Sequence, residues 1–122
     1  MKRVEEFTLE GNNFAYIDLS SLKSSDELVE TIEAIKPVIA KYPPKSLYTI
    51  TNIANFRIDS DNKEVMTDYL AHNKPYVKCG AVVGMDGVKK VMANFVFKIS
   101  GRTDMIFAFS KDKAIEMLMK LE

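Results

Sequence analysis

Two stretches of the sequence contain residue types that could hold a phosphate or a carboxylate. The first, Gly84 to Gly87, is a short turn with two glycines, as in loops whose backbone N–H groups bind phosphate. It lacks the Gly-Lys-Ser/Thr ending of a phosphate-binding loop, and Asp86 puts a negative charge where an anion would bind. We therefore interpret the turn as the junction between a buried strand and a helix that Asp86 caps.

Basic side chains near an aromatic ring form the second candidate site. Arg102 lies in a predicted turn, where its planar guanidinium could bind a carboxylate or phosphate through two hydrogen bonds. Lys90 and Phe97 fall on the helix face away from the predicted core, and Lys89 precedes Lys90. Solvated lysines and single exposed apolar residues are common, but such a pair is also typical of an anchor for a partner protein. We predict an interaction surface formed by Lys89, Lys90, Phe97 and Arg102.

Short polar side chains follow several of the predicted strands. In open α/β sheets, ligands bind outside the carboxyl ends of the parallel strands. The residues expected at this edge are Asp18, Ser20, Asn52, Asn55, Gly84 and Asp86. They include no nucleophile beside a general base, so we predict a candidate cleft without catalytic residues. Helix capping and turn formation explain most of these residues equally well.

Metal and thiol chemistry have little support in the sequence. One cysteine and one histidine are too few for an internal disulfide or a structural zinc site. Cys79 is surrounded by Val77, Ala81 and Val82, and it is predicted to be a buried, unreactive thiol. We predict no metal and no cofactor.

Composition narrows the class of protein further. The 122 residues contain 17 basic and 17 acidic side chains, so no net charge attracts nucleic acid or an anionic membrane. No apolar run approaches the ~18 residues that cross a bilayer, and the first residues lack the apolar core of a signal peptide. We expect a cytoplasmic protein without nucleic-acid binding or integral membrane association, folded as one domain over residues 1–122.

The spacing of apolar residues predicts the elements that position these side chains. A β-hairpin turns at Gly11-Asn12-Asn13, and strands rich in β-branched and aromatic residues then alternate with helices. Ser24 and Glu27 form a capping box for the first helix, in which Pro37 predicts a kink or an early end. The predicted order is β-β-α-β-α-β-α-β-α. It corresponds to an α/β fold with a mixed, mostly parallel five-stranded sheet, an antiparallel N-terminal edge hairpin and four helices.

Three stretches of the chain resemble a known family. They are FAYIDLSSL at residues 14–22, SLYTITNIANF at residues 46–56 and NKPYVKCGAVVGMDGVKKVM at residues 73–92. The chain resembles the SpoIIAA-like family of small bacterial proteins, related in fold to STAS domains and to CRAL-TRIO lipid-binding domains. The resemblance implies a five-stranded sheet with helices, and a regulatory or binding role more than catalysis.

The same resemblance singles out Ser60. Anti-sigma-factor antagonists with this fold carry a phosphorylatable serine in an Asp-Ser step at a helix start, and Asp59-Ser60 is near the matching place. The glycine expected soon after the serine is absent, and acidic residues flank Ser60. A helix N-terminus would favour a phosphate, whereas the neighbouring acids would repel it. Ser60 is therefore a candidate phosphorylation site, with simple helix capping as the alternative.

These observations lead to one functional expectation and two alternatives. We expect a non-catalytic regulatory or protein-interaction module of the STAS/SpoIIAA-like type. Its partner is a protein of unknown identity, and a second copy of the chain is a further candidate. The first alternative is a protein that binds a small apolar ligand or lipid. The second is a small enzyme of unknown reaction, for which Asp18 and Asp86 are formal acid–base candidates.

Overall fold

The computed structural model describes residues 3–22, 24–56, 60–84, 94, 97–98 and 100–120. The strands and helices are β1 Val4–Leu9, β2 Asn12–Asp18, α1 Ser25–Ala40, β3 Leu47–Asn52, α2 Ser60–Asn73, β4 Val77–Val83, β5 Met105–Phe107 and α3 Lys111–Met119. Asn94, Phe97, Lys98 and Ser100 also have helical backbone conformation. The remainder of the helix predicted between β4 and β5 lies outside the described residues.

The five strands form one mixed sheet in the order β1-β2-β3-β4-β5. β1 pairs with β2 in antiparallel fashion, and each later pair of neighbours is parallel. The prediction of an α/β fold with a mixed five-stranded sheet is confirmed. Three helices are described, so the predicted count of four helices and the exact element order stay predictions.

The turn of the N-terminal hairpin begins one residue before the predicted turn and ends two residues before it. Leu9 pairs with Asn12, so the turn consists of Glu10 and Gly11, and Asn12 and Asn13 belong to β2. Both turn residues have positive φ, +49° and +81°, as the tightest hairpin turns require. Gly11 adopts this conformation without strain, so the turn forms at Glu10 and Gly11 instead of at the asparagines.

Helix α1 begins as the sequence predicts and continues through Pro37. Ser24 accepts a hydrogen bond from the backbone N–H of Glu27 at 3.1 Å, which confirms the predicted cap. Pro37 lies inside the helix, which continues to Ala40, so of the two predicted outcomes, a kink or an early end, the early end is wrong and the kink stays a prediction. Ile35 and Ile39 are buried on either side of the proline, and their packing stabilises the last turn despite the lost backbone donor.

Helices cover both faces of the sheet. One apolar cluster joins α1 and α2 to the strands, and it includes Leu28, Ile32, Ile35, Ile39, Met66, Tyr69, Leu70, Ile17 and Val82. A second cluster on the opposite face joins α3 to the sheet through Phe14, Tyr48, Ile50, Cys79, Ala114 and Leu118. β4 is thus covered on both sides, as its continuous apolar run predicts.

Two further features concern membrane crossing and the single cysteine. In the part of the chain that the structure describes, no helix has both the length and the apolarity to cross a membrane. Cys79 is buried and free, and its thiol donates to the carbonyl of Asp104 at 3.1 Å. Burial raises the pKa of the Cys79 thiol, and Asp104 adds to this effect. The thiolate is therefore disfavoured, as expected for an unreactive cysteine.

Candidate functional site

The structure brings the predicted strand-end residues to one edge of the sheet. Asp18 ends β2 beside Asn52, which ends β3, and Gly84 directly follows β4. Backbone hydrogen bonds continue past the strands, since Leu19 N–H donates to the Asn52 carbonyl at 2.9 Å. Parallel strands have their carboxyl ends at the same edge, which is why strand order alone predicts this grouping.

Around Asp18, the polar atoms are already engaged within the chain. Its carboxylate accepts hydrogen bonds from the backbone N–H and the hydroxyl of Ser20. The Arg3 guanidinium donates to the carbonyls of Asp18 and Ser20, at 3.0 Å each. This is a side-chain-stabilised turn that attaches the start of β1 to the end of β2.

Around Asn52, the amide has a similar structural role. Its Nδ2 donates to the Tyr16 hydroxyl at 3.0 Å, and its Oδ1 accepts from the backbone N–H of Ala54 at 2.9 Å. Gly84 has φ +84°, and a Cβ atom there would lie 2.5 Å from the Ala54 nitrogen. Asn55 is exposed and has φ +56°. These residues build tight turns, so their types follow from backbone geometry.

No catalytic or metal site is evident among the strand-end residues that the structure describes. Neither Asp18 nor Asn52 faces a histidine or thiol with which it could activate a nucleophile. Within the same described ranges, no group of three side chains is placed to bind a metal ion. Asp86 lies outside the described residues. Ser60 is the first residue of α2, the position that the phosphorylation hypothesis requires.

The predicted interaction surface differs from the structure at two of its four residues. Arg102 is only 4% exposed, and its Nε and Nη2 atoms donate to Asp104 Oδ1 and Oδ2 at 2.7 and 2.9 Å. Its guanidinium therefore binds an internal carboxylate, two residues along the chain, and not an external anion. Phe97 is partly buried and packs on the Phe107 ring at 5.9 Å. The predictions of Arg102 and Phe97 as exposed anchors are corrected.

Lys89 and Lys90, the other two members of that surface, lie outside the described residues. Lys98 is exposed beside Phe97. A more prominent apolar side chain is Phe109, between β5 and α3, which is 98% exposed. Ser110 caps α3 by accepting from the Lys113 N–H at 3.1 Å. The sequence gives the position and residue type of Phe109, but its exposure depends on the path of the chain between β5 and α3.

A groove between β1 and α1 is a feature that the sequence analysis did not predict. Its volume is about 510 Å³. The floor is apolar and consists of Val4, Leu22, Ala34, Ile35 and Val38, whereas the rim is polar and consists of Arg3, Glu6, Glu27, Glu30 and Thr31. We call it the edge groove. Its helix residues form a second stripe beside the buried one, a pattern that could have revealed it.

The two ends of the edge groove have different charges. At one end, Glu6 pairs with Lys41 at 2.6 Å and accepts a hydrogen bond from the Tyr42 hydroxyl. Burial, together with Glu6, raises the pKa of Tyr42 to about 12. At the other end Arg3 is held by backbone carbonyls, as described above. Between them, the carboxylate of Glu30 has no ion pair or hydrogen bond with any residue in the described ranges.

The groove also runs along an edge of the sheet that is open in the described part of the chain, because β1 is the first strand in the sheet order. Asp18 N–H donates to the Arg3 carbonyl at 2.8 Å, which identifies Arg3 and Asp18 as a hydrogen-bonded pair. Antiparallel pairs alternate, so the main-chain groups of Val4 and Thr8 point away from β2. Val4 therefore presents its side chain to the groove and its backbone to the open edge.

Comparison with protein-family models, curated proteins and solved structures finds no match. The resemblance to the SpoIIAA-like family consequently stays a prediction from the three sequence stretches.

Proposed function

We propose that this protein is a non-catalytic regulatory or protein-interaction module. One observation carries the proposal: an open groove of about 510 Å³, with an apolar floor and a charged rim, follows a sheet edge that pairs with no further strand among the described residues. An apolar floor rewards the burial of a partner's side chains, and a polar rim keeps the free protein soluble. Surfaces of this kind bind other chains more often than they perform chemistry.

The strand-end residues support the same proposal because their polar groups are engaged in structural hydrogen bonds, which argues against catalysis. Asp18, Ser20 and Asn52 make hydrogen bonds to neighbouring backbone and side-chain groups. A general acid or base needs to reach a substrate proton, and a group that is already bonded within a turn has to break that contact first. These residues therefore stabilise the scaffold, and the second alternative, a small enzyme, has less support.

The regulatory part of the proposal rests on Ser60, the first residue of α2. A phosphate at the start of a helix is stabilised by the free backbone N–H groups and by the helix dipole. Phosphorylation there would add negative charge at the edge where the parallel strands end. An intact-mass spectrum of protein purified from its native cells tests this step, and a mass without phosphate under all growth conditions contradicts it.

Lipid or small-ligand binding is the first alternative. The edge groove has a volume within the range of ligand sites, but it is open along the sheet edge. Its rim contains three glutamates against one arginine, which would repel a fatty-acid carboxylate or a lipid phosphate. An apolar ligand would also leave much of its surface in water. Native mass spectrometry that finds a bound apolar molecule would favour this alternative.

Capture of the partner is the direct test of the interaction proposal. The tagged wild-type protein, Ala34→Arg and Phe109→Ala are purified from native cells after mild cross-linking, and recovered proteins are identified by mass spectrometry. We expect one protein to co-purify in a fixed ratio with the wild type and with Phe109→Ala, and to be lost with Ala34→Arg. Loss with Phe109→Ala alone would move the interaction to the other surface. Absence of any specific protein from all three samples would contradict the proposal.

A further inference from the structure

We propose that three exposed lysines at the amino ends of the parallel strands, Lys45, Lys74 and Lys98, bind an acidic segment of a partner protein that carries one apolar side chain. We call these three residues the lysine edge. It lies at the opposite end of the strands from Asp18 and Asn52, and it shares no residue with the edge groove. It therefore adds a second recognition surface to the proposed function, and the two surfaces can be tested separately.

The charge of the lysine edge is unbalanced, in contrast to that of lysines elsewhere on the surface. Five other lysines each form an ion pair with a glutamate: Lys36, Lys41, Lys111, Lys113 and Lys120. Lys45, Lys74 and Lys98 are exposed, and none of them forms an ion pair within the described ranges. Asp104, which precedes β5 at the same edge, is already bound by Arg102. Among the described residues, three positive charges thus lie at one edge without a paired carboxylate.

Contacts with the main chain hold the three lysines at neighbouring positions. Lys45 precedes β3, and its Nζ donates to the carbonyl of Lys74, which precedes β4, at 2.7 Å. The Lys74 ammonium in turn lies beside Gly101, since a Cβ atom on that glycine would be 3.2 Å from Nζ. Gly101 precedes β5, and its N–H donates to the Lys98 carbonyl at 3.3 Å. The lysine edge therefore crosses the starts of three neighbouring strands.

The length of the lysine edge fits a short chain segment. Neighbouring strands are about 4.8 Å apart, so the starts of β3 and β5 are separated by about 10 Å. An extended chain covers this distance with about three residues, at about 3.3 Å each. A single carboxylate or phosphate ion could contact only part of this length. Several acidic residues in one segment can contact all three lysines, and their contacts reinforce one another because they belong to one molecule.

A pocket that Lys98 lines selects the apolar side chain of the segment. Its volume is about 280 Å³, and its apolar walls are Phe97 and Met105. Small-molecule sites have volumes of about 300–1,000 Å³, so this pocket fits one side chain better than a whole ligand. Arg102 also lines the pocket, but its guanidinium is bound to an internal carboxylate and takes no part in recognition. A segment with one apolar residue among its acids fits both the pocket and the lysines.

A nucleic acid fits the same surface less well. Nucleic-acid binding depends on many phosphate contacts along a basic surface, together with aromatic rings on which bases stack. The lysine edge provides three lysines, in a chain with 17 basic and 17 acidic residues. The aromatic ring beside it, Phe97, is half-buried and packs on Phe107. These observations favour an acidic protein segment over a nucleic acid.

The test uses the full chain and defined peptides. The probe is a blocked Glu-Glu-Glu-Leu-Glu-Glu-Glu peptide, whose acids on both sides of the leucine make the test independent of chain direction. One control peptide replaces the glutamates by glutamine, and another replaces the leucine by alanine. We measure ¹H–¹⁵N chemical shifts of the protein during titration up to about 1 mM peptide, the range of weak peptide recognition. The amides of Lys74, Gly101 and Thr103 should shift with one dissociation constant, whereas that of Ala34 in the edge groove should not shift.

The control peptides and two double variants separate charge, pocket and location. The glutamine peptide should bind at least about tenfold more weakly than the probe, and the alanine peptide at least about threefold more weakly. Lys74→Gln/Lys98→Gln removes two charges of the lysine edge and should weaken binding of the probe by about 3- to 10-fold. Lys36→Gln/Lys113→Gln removes the same charge outside the lysine edge, and it should bind like the wild type. Unchanged amide shifts in the sheet core establish that both variants are folded.

Several results would overturn the proposal. Absence of probe binding up to about 1 mM would remove the site. Equal affinities for the probe and a control peptide would contradict the predicted chemistry, and equal affinities of the two double variants would contradict the location. A single-stranded oligonucleotide that binds more tightly than the probe and shifts the same amides would assign the lysine edge to nucleic acid. None of the variants changes a groove residue, so each of these failures leaves partner capture through the edge groove, and with it the proposed function, in place.

Discussion

The buried pair of Arg102 and Asp104 allows a stability prediction whose direction is not obvious from burial. The Arg102 side chain is 1% exposed and that of Asp104 is 22% exposed. Burial alone would suggest that loss of the arginine is the more damaging change. We expect the reverse, because the cost depends on which charge is left without a partner.

Asp104→Ala should be the most destabilising substitution of the pair. It removes both charge-assisted hydrogen bonds and leaves a buried guanidinium with the Leu70 carbonyl at 3.3 Å and the Met105 sulfur as acceptors. An unpaired buried charge costs about 3–5 kcal/mol of unfolding free energy. With an unfolding entropy of about 2.1 cal/mol/K per residue, this lowers the Tm of a 122-residue chain by about 12–20 °C.

Arg102→Met should cost less, about 1–2 kcal/mol, since it removes the charge together with its side chain. Asp104 then remains at a position that water reaches. The double variant Arg102→Met/Asp104→Ala should be close to Arg102→Met alone, so the coupling energy should equal the cost of Asp104→Ala, about 3–5 kcal/mol.

Urea unfolding followed by circular dichroism gives these free energies, and calorimetry gives the Tm values. Asp68→Ala is a matched control, because Asp68 is exposed on α2, and it should change the free energy by less than about 0.5 kcal/mol. If Asp104→Ala costs less than Arg102→Met, or if the double variant is as unstable as Asp104→Ala, the reasoning about the unpaired charge is refuted.

Two further predictions concern backbone strain and a buried hydroxyl. Gly84→Ala should lower the unfolding free energy by at least about 2 kcal/mol, because φ is +84° and a Cβ would meet the Ala54 backbone. Gly11→Ala has similar φ but open space, so urea unfolding should give a smaller loss for it; equal losses would contradict the steric argument. Burial raises the pKa of Tyr69 to about 12, against smaller opposite effects of Asn73 and Arg102. Stability should therefore fall as pH rises above 10.0, where the unfolded tyrosine ionises, and Tyr69→Phe should remove this part of the alkaline loss; an unchanged pH profile would refute it.

Much of the fold was predictable because its signals are local. Alternation of apolar strands with helical spacing identified the α/β class and the mixed sheet. Ser24 identified the start of α1, since a capping hydroxyl acts within three residues. The expected early end of α1 at Pro37 did not occur, because buried isoleucines flank the proline and their packing keeps it within the helix.

The candidate sites show the same difference between what a local or connection rule predicts and what packing decides. Asp18, Asn52 and Gly84 were predicted to meet because the ends of parallel strands share an edge. Arg102 was predicted to face a partner, although Asp104 follows two residues later and binds it. The sequence contains both residues, but it does not say that the turn points the guanidinium inward beneath α2.

What the sequence by itself determined is therefore the α/β class with its mixed sheet, the cap of α1, and the polar character of the strand ends. Each of these depends on residues within a few positions of one another, or on a simple rule of chain connection. Only the tertiary structure decided which stripe of α1 stays uncovered, which edge of the sheet is open and which charges are buried together. Those features depend on how the helices, strands and turns pack against one another, and that arrangement is set by the whole core.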